Sequence, residues 1–446
     1  MEQNRLIPQF LIAAPSSNSG KTTLTLGLLK ALSNQGLKVQ AFKCGPDYID
    51  PILHRRASGF ASINIDTFMA SSAHAKSLYA KYTNEADTAV IEGVMGLFDG
   101  AYKMKGSGAE IASMLNIPVI LVVDARAMAY SAAALIYGFK NFCKDIHLAG
   151  VIFNRVKTSS HYSFLVDACT DAGVEALGYL TPQENIEIPS RHLGLSIDTQ
   201  VNIEAICSRI ADALQKTVDI PRLLELTSKP VPALQKRTEP SPGRPERIRI
   251  AVAKDEAFSF TYQENLEAFK EVGEVVFFSP LHDKRLPECD LLYLAGGYPE
   301  LFLEQLSQNL EMLLAVRTYC GAGGRTLAEC GGMMYLGESI MDQAGESFPM
   351  VGFLPLSTSM VVPKLHLGYR EMVMEGLHIK GHEFHYSSCS KSEEVTALEC
   401  KIMNAKGAEV DTKIFKIQST IASYIHFYWA EDPSFLKGLF GLSNGS

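Results

Sequence analysis

The sequence predicts an α/β chain made of two doubly wound domains. Apolar runs of strand length alternate with helix-forming segments through about residue 220, and a second series of the same kind begins at Arg249-Ile250-Ala251-Val252-Ala253. The runs show almost no polar alternation, as expected of parallel strands covered on both faces. Between the two series the composition changes. Residues 228–247 hold Pro230, Pro232, Pro240, Pro242 and Pro245 among charged residues, a mixture that cannot build a packed element. The expected domains are therefore residues 1–227 and 248–446, joined by a Pro-rich linker at 228–247. A length of 446 residues agrees, since one hydrophobic core rarely serves so long a chain.

The first strand, Phe10 to Ala14, breaks into Pro15-Ser16-Ser17-Asn18-Ser19-Gly20-Lys21-Thr22-Thr23 and then the helix-forming Leu24 to Leu32. Strand, small-residue loop and helix in that order form a phosphate cradle, in which backbone N–H groups and the helix N-terminus face the phosphates. Lys21 adds a point charge, and the Thr22 hydroxyl stands where it can ligate Mg²⁺. Pro15 occupies the place of the usual opening glycine, so the loop is a variant of the motif.

Gly36 is a natural helix stop, and Leu37 to Lys43 reads as the next strand. It runs into Cys44-Gly45-Pro46-Asp47-Tyr48-Ile49-Asp50-Pro51, at the strand end where open α/β sheets hold ligands. Asp47 and Asp50 admit two readings there, ligation or turn and helix-cap duty. Thr88 to Glu92 is a strand ending in an acid, followed by Gly93-Val94-Met95-Gly96-Leu97-Phe98-Asp99-Gly100. A phosphate-loop fold needs a second carboxylate on the neighbouring strand for Mg²⁺, and Glu92 fits that place. Pro118 to Asp124 and Gly150 to Arg155 are two further buried strands. Asn154-Arg155 at the end of the second is either a nucleotide-base contact or a capped loop.

Charge and cysteine usage exclude several classes. With 41 basic and 49 acidic residues the net charge is −8, which leaves no electrostatic footprint for nucleic acid. No apolar run reaches the roughly 18 residues of a membrane span. The start Met1-Glu2-Gln3-Asn4-Arg5 lacks a secretory signal pattern, and nine scattered cysteines without a Cys-x-x-Cys pair suit reduced thiols. A cytoplasmic location is expected.

In the second half, the strand Asp290 to Leu294 opens into Ala295-Gly296-Gly297-Tyr298-Pro299-Glu300, and Arg325 to Glu329 leads into Cys330-Gly331-Gly332-Met333. A strand, a sharp turn with Cys at its tip and a helix form an elbow that exposes a nucleophile and sets it on a helix N-terminus, where a lowered thiol pKa is expected. Gly296, Gly297 and Gly331 supply candidate oxyanion N–H donors, and His426, expected at a strand end in Ala422 to Trp429, is the candidate base. Gly381-His382-Glu383-Phe384-His385 contains His-x-x-His, but its spacing differs from that of zinc helices and no third ligand lies nearby in sequence. Histidines packed near the second site, or contacting a polar ligand, are the preferred reading.

Taken together, these segments resemble the cobyrinic acid a,c-diamide synthase family. The resemblance rests on Ala14 to Thr22, Lys43 to Pro51, Glu92 to Gly100, Gly296 to Glu300, Ala328 to Gly332, Gly381 to Ser387 and Ala422 to His426, and it spans both halves in order. It implies an N-terminal P-loop domain similar to dethiobiotin synthetase and a C-terminal flavodoxin-like class I glutamine amidotransferase domain. The implied reaction is ATP-dependent amidation of the a and c acetates of a corrinoid, with L-glutamine as nitrogen donor and Mg²⁺ as cofactor.

Carried onto matching positions, the resemblance implies ATP contacts from Ser19, Gly20, Lys21, Thr22, Thr23, Lys43 and Asn154. It implies metal ligation by Thr22, Asp47 and Glu92, and an acceptor or phosphoryl site at Asp50 and Asp99. Cys330 and His426 become the catalytic pair, and the two domains are expected to face each other so that ammonia can cross. A homodimer is compatible with this reading. Most class I amidotransferases carry Glu two residues after the His, and Tyr428 stands there instead. Something else must orient His426, and a slow glutaminase is expected. The same architecture also serves hydrogenobyrinate or nickel-sirohydrochlorin as acceptor. A rival from another class is a regulatory P-loop ATPase with a degenerate glutamine-binding domain, against which the intact Cys330 and His426 stand.

Overall fold

The computed structural model describes residues 5–183, 202–234, 248–374, 377–391 and 397–440. The chain divides into two compact units, Met1–Arg237 and Thr238–Ser446.

The first unit is built on the strands β1 (Leu6–Ala13), β2 (Val39–Cys44), β3 (Ile63–Ile65), β4 (Thr88–Glu92), β5 (Val119–Asp124), β6 (Leu148–Asn154), β7 (Glu175–Leu180) and β8 (Ser228–Pro230). Their order in the sheet is β3-β2-β4-β1-β5-β6-β7, with β8 pairing β1 from outside that path. The seven strands of the path run parallel, as the unalternated apolar runs predict. In β1, Leu11 and Ala13 enter one core with Phe42, Ile91 and Leu121, whereas Phe10 and Ile12 enter the other with Leu24, Leu28 and Val90. One continuous apolar strand thus serves two helical layers. Because β1 lies between β4 and β5, winding reverses there, and the loops after β1, β2 and β4 gather at one carboxyl edge.

The expected linker begins too early at residue 228. Ser228–Pro230 is strand β8, antiparallel to Leu6–Pro8 of β1. The buried Gln9 holds it: its side-chain amide donates to the carbonyls of Lys229 (3.0 Å) and Pro230 (3.1 Å), and its Oε1 accepts from the Tyr79 hydroxyl at 2.8 Å. Pro230 is tolerated because β8 pairs on one side only. The remainder of the expected linker, from 235 to 247, lies outside the described residues.

The second unit has a central sheet of β9 (Ile248–Ala253), β10 (Gly273–Phe278), β11 (Leu291–Leu294), β12 (Arg325–Glu329), β20 (Ile414–Ile417) and β21 (Thr420–Ser423), in the order β10-β9-β11-β12-β21-β20. All pairs are parallel except β20 with β21. Two four-stranded sheets add to it. One is β14-β13-β15-β18, from Ser347–Pro349, Ser339–Met341, Leu356–Ser359 and Ser388–Lys391. The other is β19-β16-β17-β22, from Lys401–Asn404, His366–Met374, Leu377–His385 and Ile425–Phe427. The sequence reading did not anticipate these sheets, whose strands are short or half-exposed and carry no clean apolar period. The strand expected over Ala422 to Trp429 is also divided. β21 stays in the central sheet, while β22 leaves it to pair with β17, so His426 sits mid-strand in a different sheet.

Among the described residues, no helix is long and apolar enough to cross a membrane.

Replacing Gln9 by Leu removes two hydrogen bonds to β8 and leaves the buried Tyr79 phenol without this acceptor, a loss of about 1–3 kcal/mol. The thermal midpoint of the first unit should drop by several degrees, read by scanning calorimetry with nucleotide present and absent. An unshifted transition would mean that β8 is not held through Gln9.

Candidate active sites

The phosphate loop is fixed from its flanks. Gly20 ends it at φ +96°, and a Cβ there would lie 1.9 Å from Asn154 Nδ2, so the position requires glycine. Asn154 Nδ2 donates to the Ser19 carbonyl at 3.0 Å, and the Ser19 hydroxyl donates to Ser16 O at 3.0 Å. The structure therefore gives Asn154 the task of bracing the loop. Arg155, in a left-handed conformation, bridges from Asn18 O (3.2 Å) to Asp124 (2.6 Å). The stretch after β4 is tied to the same loop by Gly93 N–H to Ile12 O and Leu97 N–H to Ala14 O, both at 2.9 Å. Lys21 starts the helix Lys21–Asn34, and its ammonium donates to the carbonyls of Ser16 and Met95.

Glu92 is the hub of this site. The parallel register sets it beside Ile12 of β1 and Lys43 of β2. Its Oε1 accepts from the Thr22 hydroxyl (2.6 Å) and from Lys43 Nζ (3.1 Å), and its Oε2 meets His54 Nε2 at 2.7 Å. Lys43 also pairs with Asp50 at 2.5 Å. Lys43, Asp50, His54 and Glu92 are all buried. Burial and the Asp50 charge push the Glu92 carboxyl up, but Lys43 and His54 outweigh them and hold it below its usual range. Thr22 Oγ1 and the Glu92 carboxylate are hard oxygen donors of the kind Mg²⁺ takes, so the residues present fit that ion.

Of the other residues singled out, Asp47 caps the turn into the helix Ile49–Ser58, with Oδ1 accepting from Ile49 N–H (2.9 Å) and Asp50 N–H (3.2 Å). Turn duty is thus realised, and it occupies one of the two carboxylate oxygens. Asp99 Oδ2 accepts from Gly96 N–H at 3.0 Å and so closes the loop that carries Met95. Thr22 and Thr23 stand half-buried at the helix start. The sequence reading missed His54, which lies on the helix after Asp50 and reaches Glu92 only through the fold.

In the second unit Cys330 forms the predicted elbow. Its backbone lies at φ +46°, a strained conformation for a residue with a side chain, between β12 and the short helix Gly331–Leu336. Its N–H donates to Ser423 O at 2.7 Å, and its thiol reaches the Phe384 carbonyl at 3.7 Å. Gly331 packs against Gly297 and Pro299, and a Cβ there would lie 3.0 Å from Gly297 N. Gly296 is equally close to the base: a Cβ would lie 2.2 Å from His426 Cε1. The glycine pair therefore stands between the elbow and the imidazole.

The expected lowering of the thiol pKa is not found. Burial dominates and Glu300 adds to it, so the Cys330 thiol is pushed well up despite the Gly331 N–H. A helix of one and a half turns offers too little field to compensate. His426 is driven well down by burial and by neighbouring histidines. Thiol and imidazole are thus both neutral at rest.

Two residues after His426, where the wider class carries Glu, stands Tyr428. His426 lies against His382, directly opposite in the β17–β22 register, with ring centroids 5.0 Å apart and planes 16° apart. Tyr262 is hydrogen-bonded to His382 Nδ1 at 2.8 Å, and burial lowers His382 to about 3, so a neutral ring backs the base. Tyr428 packs edge-on against Tyr262 at 5.4 Å. The His-x-x-His pair thus divides, His382 backing the base and His385 joining a separate network. His385 Nε2 meets Glu383 at 2.9 Å, while Arg370 (2.7 Å) and Thr412 (2.8 Å) donate to the other Glu383 oxygen. His366, Glu383 and His385 approach one another closely enough for a metal. However, the two imidazoles stack flat at 4.7 Å and 2°, which aims their nitrogens in parallel rather than at a common point.

Residues 10–195 match the family described as CobQ/CobB/MinD/ParA nucleotide binding domain, and residues 249–434 that of the CobB/CobQ-like glutamine amidotransferase domain. A cobyrinate a,c-diamide synthase of Syntrophotalea carbinolica is 39% identical, over 98% of this chain and 99% of its own. The chain belongs to the a,c-diamide synthase family. Two hydrogenobyrinate a,c-diamide synthases are equally similar. That of Brucella suis is 39% identical over 94% of this chain and 97% of its own, and that of Pseudomonas aeruginosa 39% over 96% and 95%.

Two further carboxyls flank the thiol. Glu329, next to it in sequence, is raised to about 8 by burial, against hydrogen bonds from Tyr293 O–H (2.7 Å) and Phe427 N–H (3.0 Å). It ties β12 to the segment carrying His426. Glu300, in the turn after the glycine pair, is raised to about 7 by burial.

A raised thiol has less thiolate near pH 7 than an ordinary cysteine. The rate of iodoacetamide labelling at Cys330, followed by peptide mass spectrometry, should therefore still be climbing above pH 9, where an exposed cysteine of pKa about 8.5 levels off. A rate already flat below pH 8 would mean that the thiol is activated at rest.

Proposed function

We propose that the chain catalyses ATP- and glutamine-dependent amidation of the a and c acetates of cobyrinate. The observation that carries this reading is the pairing of two machineries in one family member. A phosphate loop is coupled to a buried Glu92 in one unit, and a strained Cys330 elbow stands beside His426 in the other. A carboxylate resists ammonia, so ATP first makes it an acyl phosphate. Lys21 and the loop N–H groups face the nucleotide phosphates, and Lys43 neutralises charge at the transferring group. Mg²⁺ held by Thr22, Glu92 and Asp47 would offset the phosphate charge. Asp50 positions Lys43, and Asp99 shapes the loop that bears the acceptor side of the site.

In the amidotransferase unit, His426 takes the thiol proton as Cys330 attacks the glutamine amide carbon. The oxyanion develops toward the N–H groups of Gly297 and Gly331, ammonia leaves, and water releases glutamate from the thioester. A neutral resting pair with Tyr428 where the wider class carries Glu suits a slow idle glutaminase, which wastes no glutamine while no acceptor is bound. The equal similarity to hydrogenobyrinate synthases supports a second acceptor, the metal-free macrocycle, and turnover of the purified protein on each decides between them.

Cys330→Ala should abolish glutamine-dependent amidation while ammonia-dependent amidation survives, because the synthetase chemistry lies in the other unit. Equal loss with both donors would remove Cys330 from the role.

Lys21→Ala and Glu92→Gln should each cut ammonia-dependent turnover by about a hundredfold or more, the scale of a lost charge-stabilising group. Chelation of Mg²⁺ should stop it. Normal turnover by either variant would return that residue to a structural role.

A further inference from the structure

Among the described residues, Glu300 is a carboxyl beside the nucleophile with an oxygen that no hydrogen bond takes up. It sits in the single-turn segment Pro299–Leu301, directly after Gly296-Gly297, and Pro299 lies against Gly331 at the elbow. Its Oε2 is fully buried, and among the described residues no hydrogen-bond donor meets it. A nearby polar group is engaged elsewhere. Tyr424, which feels the Glu300 charge, shares its hydroxyl with Ser387 at 2.8 Å. Glu300 weighs more on the Cys330 thiol than Glu383 or Glu329 does, yet it is absent from the groups that perturb His426. Its carboxyl therefore faces the thiol side of the pair and does not stand in for the missing residue behind the imidazole.

Burial raises Glu300 to about 7, so near neutrality it is partly protonated at rest, and a cation brought in by a ligand would hold it charged and give Oε2 the donor it lacks. Glutamine carries one. With its amide carbon at Cys330 and its amide oxygen toward Gly297 and Gly331, the other end of the molecule presents an α-ammonium group three carbons away. We propose that the Glu300 carboxylate receives the α-ammonium of glutamine and selects the free amino acid over amides that lack this charge, an assignment that rests on the reading of Cys330 as the glutaminase nucleophile. Bound in this way, the ammonium supplies the donor that Oε2 lacks and keeps the carboxylate charged. The site then discriminates against neutral amides and against acids without an amino group, because those would leave Oε2 buried and unmatched.

The test compares L-glutamine with 4-carbamoylbutanoate, which is glutamine without its amino group, on the wild type, Glu300→Gln and Glu300→Asp. Hydrolysis is measured with ATP and corrinoid present. Glu300→Gln is expected to raise KM for glutamine by about 10- to 100-fold, the scale of a lost charged hydrogen bond, with kcat changed less than about threefold. Its preference for glutamine over the deamino analogue should collapse. Glu300→Asp, which keeps the charge, should retain part of that preference. A Glu300→Gln enzyme with wild-type KM and wild-type preference overturns the assignment, as does one that loses kcat at unchanged KM. If that variant fails to fold, the wild type still decides: equal use of both substrates overturns the proposal, and strong rejection of the analogue with partial relaxation in Glu300→Asp supports it. A wild-type protein that hydrolyses no glutamine at all overturns the nucleophile reading along with this one. Glutamine hydrolysis that is lost in Cys330→Ala but insensitive to Glu300 overturns this one alone.

Discussion

A carboxylate buried at the carboxyl edge of a parallel sheet must be paired, and the first unit is organised around meeting that demand at Glu92. Removing such a group from water costs several kcal/mol unless cations and donors surround it. Here each element of the crevice sends one: the phosphate-loop helix gives Thr22, β2 gives Lys43, and the helix after β2 gives His54, with Asp50 completing the charge balance on Lys43. The cluster thus couples the start of the first helix to β2 and β4. Its members occupy fixed positions because the register pairs Lys43 and Ile12 with Glu92, not because the side chains seek one another across a flexible surface.

The second unit solves the opposite problem. Its reactive groups are kept neutral by the same burial that the first unit balances with charge. Cys330 is raised, His426 and His382 are lowered, and Glu329 and Glu300 are raised, so burial favours the uncharged form of each, while the charge of the neighbouring Glu383 is matched by Arg370. Moving a proton from thiol to imidazole then needs the field of bound substrate. An amidotransferase that supplies an activated carboxylate gains from this, since ammonia released without an acceptor is lost to protonation and diffusion. His426 stacks on His382, a neutral ring that does not stabilise an imidazolium.

Much of this was legible in the chain. The phosphate loop, Glu92, the elbow at Cys330 and the late His426 are local patterns: a strand, a turn of small residues and a helix written within some fifteen positions. Parallel strands buried on both faces read as plain apolar runs, so the two central sheets were also accessible. What escaped was whatever depends on contacts between distant segments. His54 looks like any helix histidine until the β2–β4 pairing brings Glu92 to it, and Ser228–Pro230 looks like a linker until Gln9 pairs with its carbonyls. The division of the last strand between two sheets follows from the same kind of pairing, between β17 and β22.

The sequence by itself determined the α/β class and pointed to Cys330, His426 and the phosphate loop as candidates, because each is set by residue type at short spacing. Only the tertiary structure decided the protonation balance and the partners. Short-range pattern puts Cys330 on a helix N-terminus and suggests an activated thiolate. The folded chain buries it among carboxyls, and desolvation, which sums over every surrounding atom, outweighs one helix end. Asp47 and Asn154 show the same limit: their chemistry was visible, but whether they cap a turn, brace a loop or meet a ligand is decided by what the fold places within hydrogen-bond reach.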